Sequence, residues 1–228
     1  MTDEEARAIL NAPKDGEYDP SEAITLRTNM ALDGDREQLR YDGIDVTGFL
    51  ELEFPLYAQY VSGLSDYRVL DVGCGYGRFC RFLSGFDCAY YAGIDPNRDR
   101  LRYARDRHGR FWISGNVVFE VFTPDKYREG VSDLFDVVYC RTVIQHLFLD
   151  EKLRVLAGIR RLVKSGGLVF LQEGGIWEYD LIECAERYLK PEQAVHMIPM
   201  PLELVEGVFQ GSAWLFRGGE FIILKVVK

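Results

Sequence analysis

The apolar residues of this chain form short strand-like runs that alternate, from about residue 67 onward, with stretches of helical periodicity. Short apolar runs bounded by turn formers predict buried strands, and apolar residues three or four positions apart predict helices. The predicted strands cover residues 68–72, 90–94, 117–122, 135–140 and 168–172, and the predicted helices cover residues 77–83, 96–107 and 150–163. This alternation predicts an α/β fold with helices on both faces of a doubly wound, mostly parallel sheet.

Local signals predict where two of these helices begin and end. Pro96 is expected in the first turn of the second helix, because a proline there lacks only an N–H that has no helical partner. Gly166 and Gly167 are expected to end the third helix before the fifth strand begins.

The two ends of the chain depart from the regular pattern. Apolar runs at residues 213–216 and 220–226 flank a Gly-Gly pair, which predicts a C-terminal hairpin with one antiparallel strand and a sheet of about seven strands. Residues 1–63 contain a turn-rich stretch and possible short helices at residues 21–30 and 46–61. They are predicted to form a helical and loop extension, which could act as a lid, on a main domain at residues 64–228.

Composition and charge exclude several classes of partner. The chain is 47% hydrophobic and 28% charged, as in ordinary globular proteins, and no apolar run approaches the roughly 18 to 20 residues that span a bilayer. Its net charge of -9 argues against nucleic acid, because phosphate backbones attract basic surfaces. The five cysteines include no C-x-x-C pair and the three histidines lie far apart, so no disulfide framework and no metal site are predicted. These features predict a cytoplasmic protein and leave its oligomeric state open.

The strongest chemical signal is a glycine-rich turn directly after the first strand. Asp71 ends the strand-like run, and Gly73, Gly75 and Gly77 alternate before the first helix. Glycine permits positive φ angles and, without a Cβ, lets a ligand approach the backbone closely. Open parallel sheets bind ligands at the carboxyl ends of their strands, where this turn lies.

A second signal is Asp95, at the end of the second strand. An acidic residue about 20 positions beyond such glycines can accept hydrogen bonds from ribose hydroxyls. The alternative is that Asp95 only caps the helix that is predicted to begin at Pro96.

From residue 68 to residue 173 these motifs resemble the class I, Rossmann-like S-adenosylmethionine-dependent methyltransferases. The D-x-G-x-G-x-G form after a strand is similar to their first motif, and the C-terminal hairpin agrees with their architecture. The resemblance implies S-adenosylmethionine as cofactor and S-adenosylhomocysteine as product. It implies that the cofactor is bound by Asp71, Gly73, Cys74, Gly75, Gly77, Asp95 and Pro96.

The resemblance is less complete after the third strand. Family members often carry an aspartate there that contacts the adenine amino group, but here the matching position is Thr123. Phe122 is expected to pack on the adenine, with Thr123 or Asp125 supplying the polar contact. Alternatively, Phe122 belongs to the core and Asp125 to a turn.

The fourth and fifth strands carry the candidates for catalysis. By the resemblance, Cys140 and Arg141 line the methionine part of the cofactor largely through their backbone, and His146 lies near the mouth of the substrate pocket. A histidine can act as a general base at neutral pH, but His146 could instead only hold its loop. Glu173 could bind an amine or take a proton, or be a satisfied polar residue at a strand end. Residues 177–209 could wall the pocket or pack as ordinary helices.

The resemblance therefore implies an enzyme that moves a methyl group to a nitrogen or oxygen atom of a small molecule. A protein methyltransferase is the second interpretation. An NAD-dependent oxidoreductase is disfavoured, because its G-x-G-x-x-G fingerprint would need a glycine where Arg78 stands. A catalytically inactive cofactor-binding protein stays possible, since fold alone does not determine function.

Overall fold

The computed structural model describes residues 1–12, 54–83, 88–108, 116–173, 179–190, 198–218 and 221–228. Within them, seven strands form one sheet in the order β3-β2-β1-β4-β5-β7-β6. The strands are β1 (Tyr67–Val72), β2 (Cys88–Ile94), β3 (Val117–Glu120), β4 (Phe135–Arg141), β5 (Val163–Gln172), β6 (Ala213–Gly218) and β7 (Phe221–Lys225). The helices are α1 (Asp3–Leu10), α2 (Phe54–Val61), α3 (Arg78–Leu83), α4 (Arg98–His108), α5 (Leu149–Leu162), α6 (Leu181–Leu189) and α7 (Leu202–Val208), with a 3-10 turn at Ile144–His146.

The sheet has the predicted direction of strands. The first five strands pair in parallel, and β7 lies antiparallel between β5 and β6. The predicted α/β architecture with its C-terminal antiparallel hairpin is therefore confirmed. No helix in these described ranges is long and apolar enough to cross a membrane.

Strands β1, β2, β4, β5 and β7 contribute side chains to two hydrophobic cores, because successive side chains point to opposite faces of the sheet. Leu70 and Val72 of β1 enter the core that is shared with helices α1, α5, α6 and α7. Val69 enters the second core, which is shared with helices α2, α3 and α4. The carboxyl ends of β1, β2, β4 and β5 consequently meet at one edge of a rigid, doubly covered sheet.

The two N-terminal helices pack into these cores on opposite faces. Helix α1 begins at a capping box between Thr2 and Glu5, and its Ala6 and Leu10 are fully buried in the first core. Helix α2 places Tyr57 in the second core. Part of the predicted 46–61 helix is thus present at Phe54–Val61, and the predicted helix at residues 21–30 lies outside the described residues.

The prediction that Pro96 stands in the first turn of a helix is wrong. Helix α4 begins at Arg98, and the Oδ1 of Asn97 accepts hydrogen bonds from the N–H groups of Asp99 and Arg100 at 2.9 and 3.0 Å. Asn97 therefore caps the helix, because its short side chain reaches two of the N–H groups that the first turn leaves unpaired. Pro96 is exposed in the preceding loop.

The prediction that Gly166 and Gly167 end the third helix is also wrong. Helix α5 ends at Leu162, and Val163, with φ -74° and ψ 141°, already begins the strand. The two glycines lie inside β5, where a Cβ on Gly167 would stand 2.9 Å from the carbonyl oxygen of Asp136. Gly167 is therefore needed for close strand packing.

Candidate functional site

The glycine turn between β1 and α3 has the backbone that its composition predicts. Gly73, Gly75 and Gly77 have φ angles of +66°, +53° and +75°, in the left-handed region that favours glycine. The N–H groups of Gly73 and Cys74 donate to the carbonyl oxygen of Ile94 at 2.8 and 3.1 Å. The turn is thus attached to the carboxyl end of β2, next to Asp95.

Asp95 connects this turn to the following loop. Its Oδ2 accepts a hydrogen bond from the N–H of Gly75 at 3.0 Å, and its Oδ1 accepts one from the N–H of Asn97 at 2.7 Å. The side chain is only 3% exposed. Because each carboxylate oxygen has two lone pairs, these bonds leave acceptor capacity for a ligand hydroxyl. Asn97, and not Asp95, is the residue that caps helix α4.

Asp71 is buried beneath the turn. The hydroxyl of Tyr91 donates to its Oδ2 at 2.5 Å, a charge-assisted hydrogen bond between neighbouring strands. Burial raises the pKa of Tyr91 well above its ordinary value, so the hydroxyl stays a donor at neutral pH. This bond fixes the end of β1, from which the glycine turn begins.

Cys74 packs inward from the turn. A Cβ on Gly93 would lie 2.8 Å from the Sγ of Cys74, so this side chain uses the space that Gly93 leaves. Burial, with the negative charges of Asp71 and Asp95, raises the pKa of the thiol well above its ordinary value. Cys74 is therefore a neutral packing residue here.

Two glycines of the turn meet different surroundings. A Cβ on Gly73 would lie 2.2 Å from the Cγ2 of Val143, which belongs to the loop after β4. A Cβ on Gly75 would meet nothing closer than the carbonyl oxygen of Gly73 at 4.0 Å. Gly73 is thus needed for packing inside the protein, whereas Gly75 borders open space in front of the turn.

The loop after β3 contributes an exposed aromatic ring. Strand β3 ends at Glu120, two residues earlier than predicted, and Phe122 is 43% exposed with its ring at the edge of Tyr127. Thr123 accepts a hydrogen bond from Tyr127 through its carbonyl oxygen, so it begins a tight turn. Phe122 is outside the core, which agrees with a ring that is available to a ligand.

The carboxyl end of β4 contains a strained residue. Thr142 has a φ angle of +52°, a conformation that costs a residue with a Cβ roughly 1 to 2 kcal/mol. Its N–H donates to the carbonyl oxygen of Gln172 at 2.8 Å, and the Nε of Arg141 donates to the side chain of the same glutamine at 2.6 Å. Cys140 is fully buried, and burial raises the pKa of its thiol well above the ordinary value.

His146 ends the 3-10 turn that follows. Its ring is half-buried, and its Nε2 lies 3.2 Å from the Nε2 of the Gln145 amide. Because an amide nitrogen is a donor, this arrangement fits the tautomer whose proton is on Nδ1. The roles as base and as loop anchor are both compatible with this position at the edge of the sheet.

Glu173, directly after β5, is surrounded by backbone donors. Its Oε1 accepts the N–H groups of Val143 and Ile144, both at 3.1 Å, and its Oε2 accepts the N–H of Gln145 at 3.0 Å. Burial raises the pKa of this carboxyl from 4.5 to about 7, while those N–H groups and the charge of Lys152 act in the opposite direction. The side chain is 1% exposed, so the geometry favours the predicted alternative of a satisfied polar residue.

Lys152 is a buried cation that the sequence analysis missed. It is 0% exposed, and its Nζ donates to the carbonyl oxygens of Ile144 and Ile198 at 2.8 and 2.6 Å. The sequence does predict that Lys152 lies on the apolar face of its helix, because Leu149, Lys152 and Leu156 have the spacing of one helix face. A lysine on an apolar face requires a buried acceptor, and no pattern in the sequence shows that Ile198 supplies one.

The structure brings the predicted residues to one edge of the sheet, at the ends of four neighbouring strands. Asp71 is the penultimate residue of β1 and the glycines follow this strand. Asp95 and Pro96 follow β2, Cys140 and Arg141 end β4, and Glu173 follows β5. Of the predicted pocket wall, Tyr188, Met200 and Phe209 are packed in the first core, and Trp177 and Met197 lie outside the described residues. Within the described part of the chain, no cluster of metal-ligating side chains occurs.

Comparison with known proteins finds a methyltransferase domain and relatives that are named as O-methyltransferases. Residues 70–169 match the family model described as a methyltransferase domain. The chain is 30% identical over 119 residues to the ubiquinone biosynthesis O-methyltransferase of Neisseria meningitidis, across 51% of this chain and 49% of that protein. It is 35% identical over 108 residues to the protein of the same name from Thiobacillus denitrificans, across 47% of this chain and 44% of that one. The chain thus spans about half the length of the curated relatives that it matches.

A solved structure shares the fold across more of the chain. The PH0226 protein from Pyrococcus horikoshii OT3 aligns with a TM-score of 0.60 and 20% identity, over 81% of this chain and 92% of that protein. At this identity the likeness supports the architecture of the sheet and helices and carries no further conclusion.

Proposed function

We propose that the chain is a class I methyltransferase, as the methyltransferase domain matched at residues 70–169 supports, and that it transfers a methyl group from S-adenosylmethionine to a small molecule. The observation that carries the proposal is this family match together with the glycine turn and Asp95 at the same edge of the sheet. A protein acceptor is the second candidate.

The residues at the turn fit such a cofactor. Gly75 leaves a cradle that a Cβ would fill, and its N–H is fixed by the carboxylate of Asp95. We propose that Asp95 accepts the ribose hydroxyls, that Phe122 covers the adenine with Thr123 beside it, and that Cys140 and Arg141 border the methionine part. When bound, S-adenosylmethionine supplies an electrophilic methyl group on its sulfonium.

The accepting atom is proposed to be an oxygen. The curated relatives are named as O-methyltransferases, and a hydroxyl acceptor arrives protonated. A nearby base then helps the reaction, and we propose His146 for that role because its imidazole is half-buried at the edge of the sheet. Glu173 is the second candidate, but its oxygens already accept three backbone N–H groups.

The experiment is a methyl-transfer assay with labelled S-adenosylmethionine and a panel of hydroxylated and amine-bearing small molecules. We expect transfer to a hydroxylated acceptor. The variant His146→Asn is expected to lower kcat on that acceptor by about 100-fold or more, the usual contribution of a positioned base. The loss should be smaller at high pH, where more acceptor is already deprotonated.

The matched control is His108→Asn, which makes the same exchange at the last residue of helix α4. An unchanged kcat in His146→Asn would rule out proton transfer by this residue. Transfer only to amines would contradict the assignment of oxygen as the accepting atom.

The N-terminal segment is proposed to belong to the site as well as to the fold. The Oδ1 of Asn11 accepts the N–H of Asp150 at 2.9 Å, at the start of helix α5 and close to the loop of His146. We propose that residues 1–63 help to cover this edge.

The cysteines of the chain are all free and buried, which supports a reducing compartment such as the cytoplasm.

A further inference from the structure

The loop at residues 143–146, shortly after β4, is held to the rest of the protein by hydrogen bonds from its backbone groups. Residues Val143, Ile144 and Gln145 all donate their N–H groups to the carboxylate of Glu173, at 3.0 to 3.1 Å. Three successive N–H groups around one carboxylate form a strong anion site, of the kind usually filled by a ligand. Here a side chain of the protein fills it, and its oxygens point away from solvent.

Lys152 binds the opposite side of the same loop. Its Nζ donates to the carbonyl oxygen of Ile144, so both polar backbone groups of that residue are bonded to buried ionisable side chains. The same ammonium donates to the carbonyl oxygen of Ile198, whose N–H in turn donates to the carbonyl oxygen of Gln145 at 2.8 Å. The loop is thus attached to β5, to helix α5 and to the segment at residue 198.

This loop carries two contacts that matter for the site. The Cγ2 of Val143 occupies the space where a Cβ of Gly73 would stand, at 2.2 Å, so the loop lies directly against the first glycine of the turn. The N–H of His146 donates to the carbonyl oxygen of Val143 at 3.1 Å, so His146 belongs to the same hydrogen-bonded turn. Displacement of the loop would therefore move His146 and release the turn together.

Backbone strain directly before the loop indicates that surrounding contacts hold the loop in place. Thr142 adopts a left-handed φ of +52°, and strained backbone persists only where the surrounding structure determines it. The bonds to Glu173 and Lys152 directly after Thr142 supply that determination.

We infer that Glu173 and Lys152 form a buried clamp that positions the loop of Val143 and His146 against the glycine turn, and that both act as positioning residues. The inference rests on the proposed function, since it assigns these residues a part in the same site. It gives Glu173 a role other than proton transfer, and it gives Lys152 a role for the first time.

The test compares Glu173→Gln with Asp136→Asn. Asp136 is a matched control, because its carboxylate also accepts a backbone N–H, that of Arg68, and a lysine ammonium, but at the opposite edge of the sheet. Two readouts are measured on each folded protein: the Kd for S-adenosylhomocysteine by calorimetry, and the imidazole signals of His146 by NMR, assigned with His146→Asn.

We expect Glu173→Gln to weaken S-adenosylhomocysteine binding by on the order of tenfold to a hundredfold, equivalent to about 1.4 to 2.8 kcal/mol. The His146 signals should shift as well, because the loop is no longer held against the glycine turn. Asp136→Asn should lower the Tm and change neither readout. If Glu173→Gln does not fold, the double variant Glu173→Gln/Lys152→Met is used in its place, because this variant removes both charges of the pair. The same changes in Kd and in the His146 signals are expected.

A Glu173→Gln protein that loses thermal stability but keeps the wild-type Kd and the wild-type His146 signals would overturn the inference, because the clamp would then serve the fold alone. Failure of the proposed function looks different. In that case the wild-type protein does not bind S-adenosylhomocysteine at all, and the His146 signals still decide whether the clamp positions the loop.

Discussion

Replacing Lys152 by methionine is expected to lower the free energy of unfolding by about 3 to 5 kcal/mol at a pH well above 7, where Glu173 is ionised and its charge is left buried and uncompensated. Lys152 is 0% exposed and Glu173 is 1% exposed, so neither charge can turn to water. The Lys152→Met side chain keeps most of the volume and removes the donor to Ile144 and Ile198. Urea denaturation of the wild type and the variant measures the difference.

The loss should also depend on pH. Burial raises the pKa of Glu173 to about 7 in the folded protein, so its contribution to stability is present at low pH and is lost as the pH rises through that value. In Lys152→Met the lowering effect of the ammonium is gone, and the pKa of Glu173 rises further. In the folded state Glu173 therefore ionises at a lower pH in the wild type than in Lys152→Met. Above about pH 7 the variant continues to lose stability, and the difference in the free energy of unfolding between the two proteins grows.

The double variant Glu173→Gln/Lys152→Met is the control for this prediction. It removes both charges, and it should recover most of the stability that Lys152→Met loses, since neutral replacement of a buried pair is often tolerated. Additive losses in the double variant, or a Lys152→Met protein as stable as the wild type, would show that the two charges are independent.

Replacing Gly73 by alanine is expected to damage both the fold and the binding of S-adenosylmethionine. The φ of +66° costs alanine roughly 1 to 2 kcal/mol, and its Cβ would stand 2.2 Å from the Cγ2 of Val143. Either the turn or the loop of Val143 must move, so the Kd for S-adenosylmethionine should rise by at least about tenfold, equivalent to about 1.4 kcal/mol. Calorimetric titration and thermal unfolding measure the two effects.

The control variant Gly130→Ala measures the cost of backbone strain in the absence of steric overlap. Gly130 has a φ of +79°, but nothing lies within 4 Å of where its Cβ would be. This variant should lose only the strain energy and bind the cofactor normally. The pair Gly73→Ala/Val143→Ala removes the clashing methyl group and should recover part of the affinity. Equal losses in Gly73→Ala and Gly130→Ala would contradict the packing role of Val143.

The strand pattern and the edge of the site were predictable because they depend on local sequence. Buried parallel strands are continuous apolar runs, and Gly73, Gly75 and Asp95 follow two of them, so their meeting at one edge follows from the topology. The capping box of Thr2 and Glu5 carried an equally local signal for helix α1, which the sequence analysis did not use.

The remaining features depend on contacts between distant segments. The spacing of helix α5 places Lys152 on the apolar face, but its acceptor on Ile198 lies 46 positions away. A glycine pair can end a helix or lie within a strand, and only the structure shows that the carbonyl oxygen of Asp136 approaches the backbone of Gly167. Only the three-dimensional structure shows that Glu173 faces three N–H groups instead of solvent.

The most direct test of the central claim is calorimetric titration of the wild type and Asp95→Ala with S-adenosylmethionine and, separately, with NAD. The wild type is predicted to bind S-adenosylmethionine with micromolar affinity and not to bind NAD. Loss of the carboxylate should weaken binding by about tenfold or more, since hydrogen bonds to a charged group contribute about 1.5 to 3 kcal/mol. Absence of S-adenosylmethionine binding in the wild type, or tight binding of NAD, would contradict the proposal.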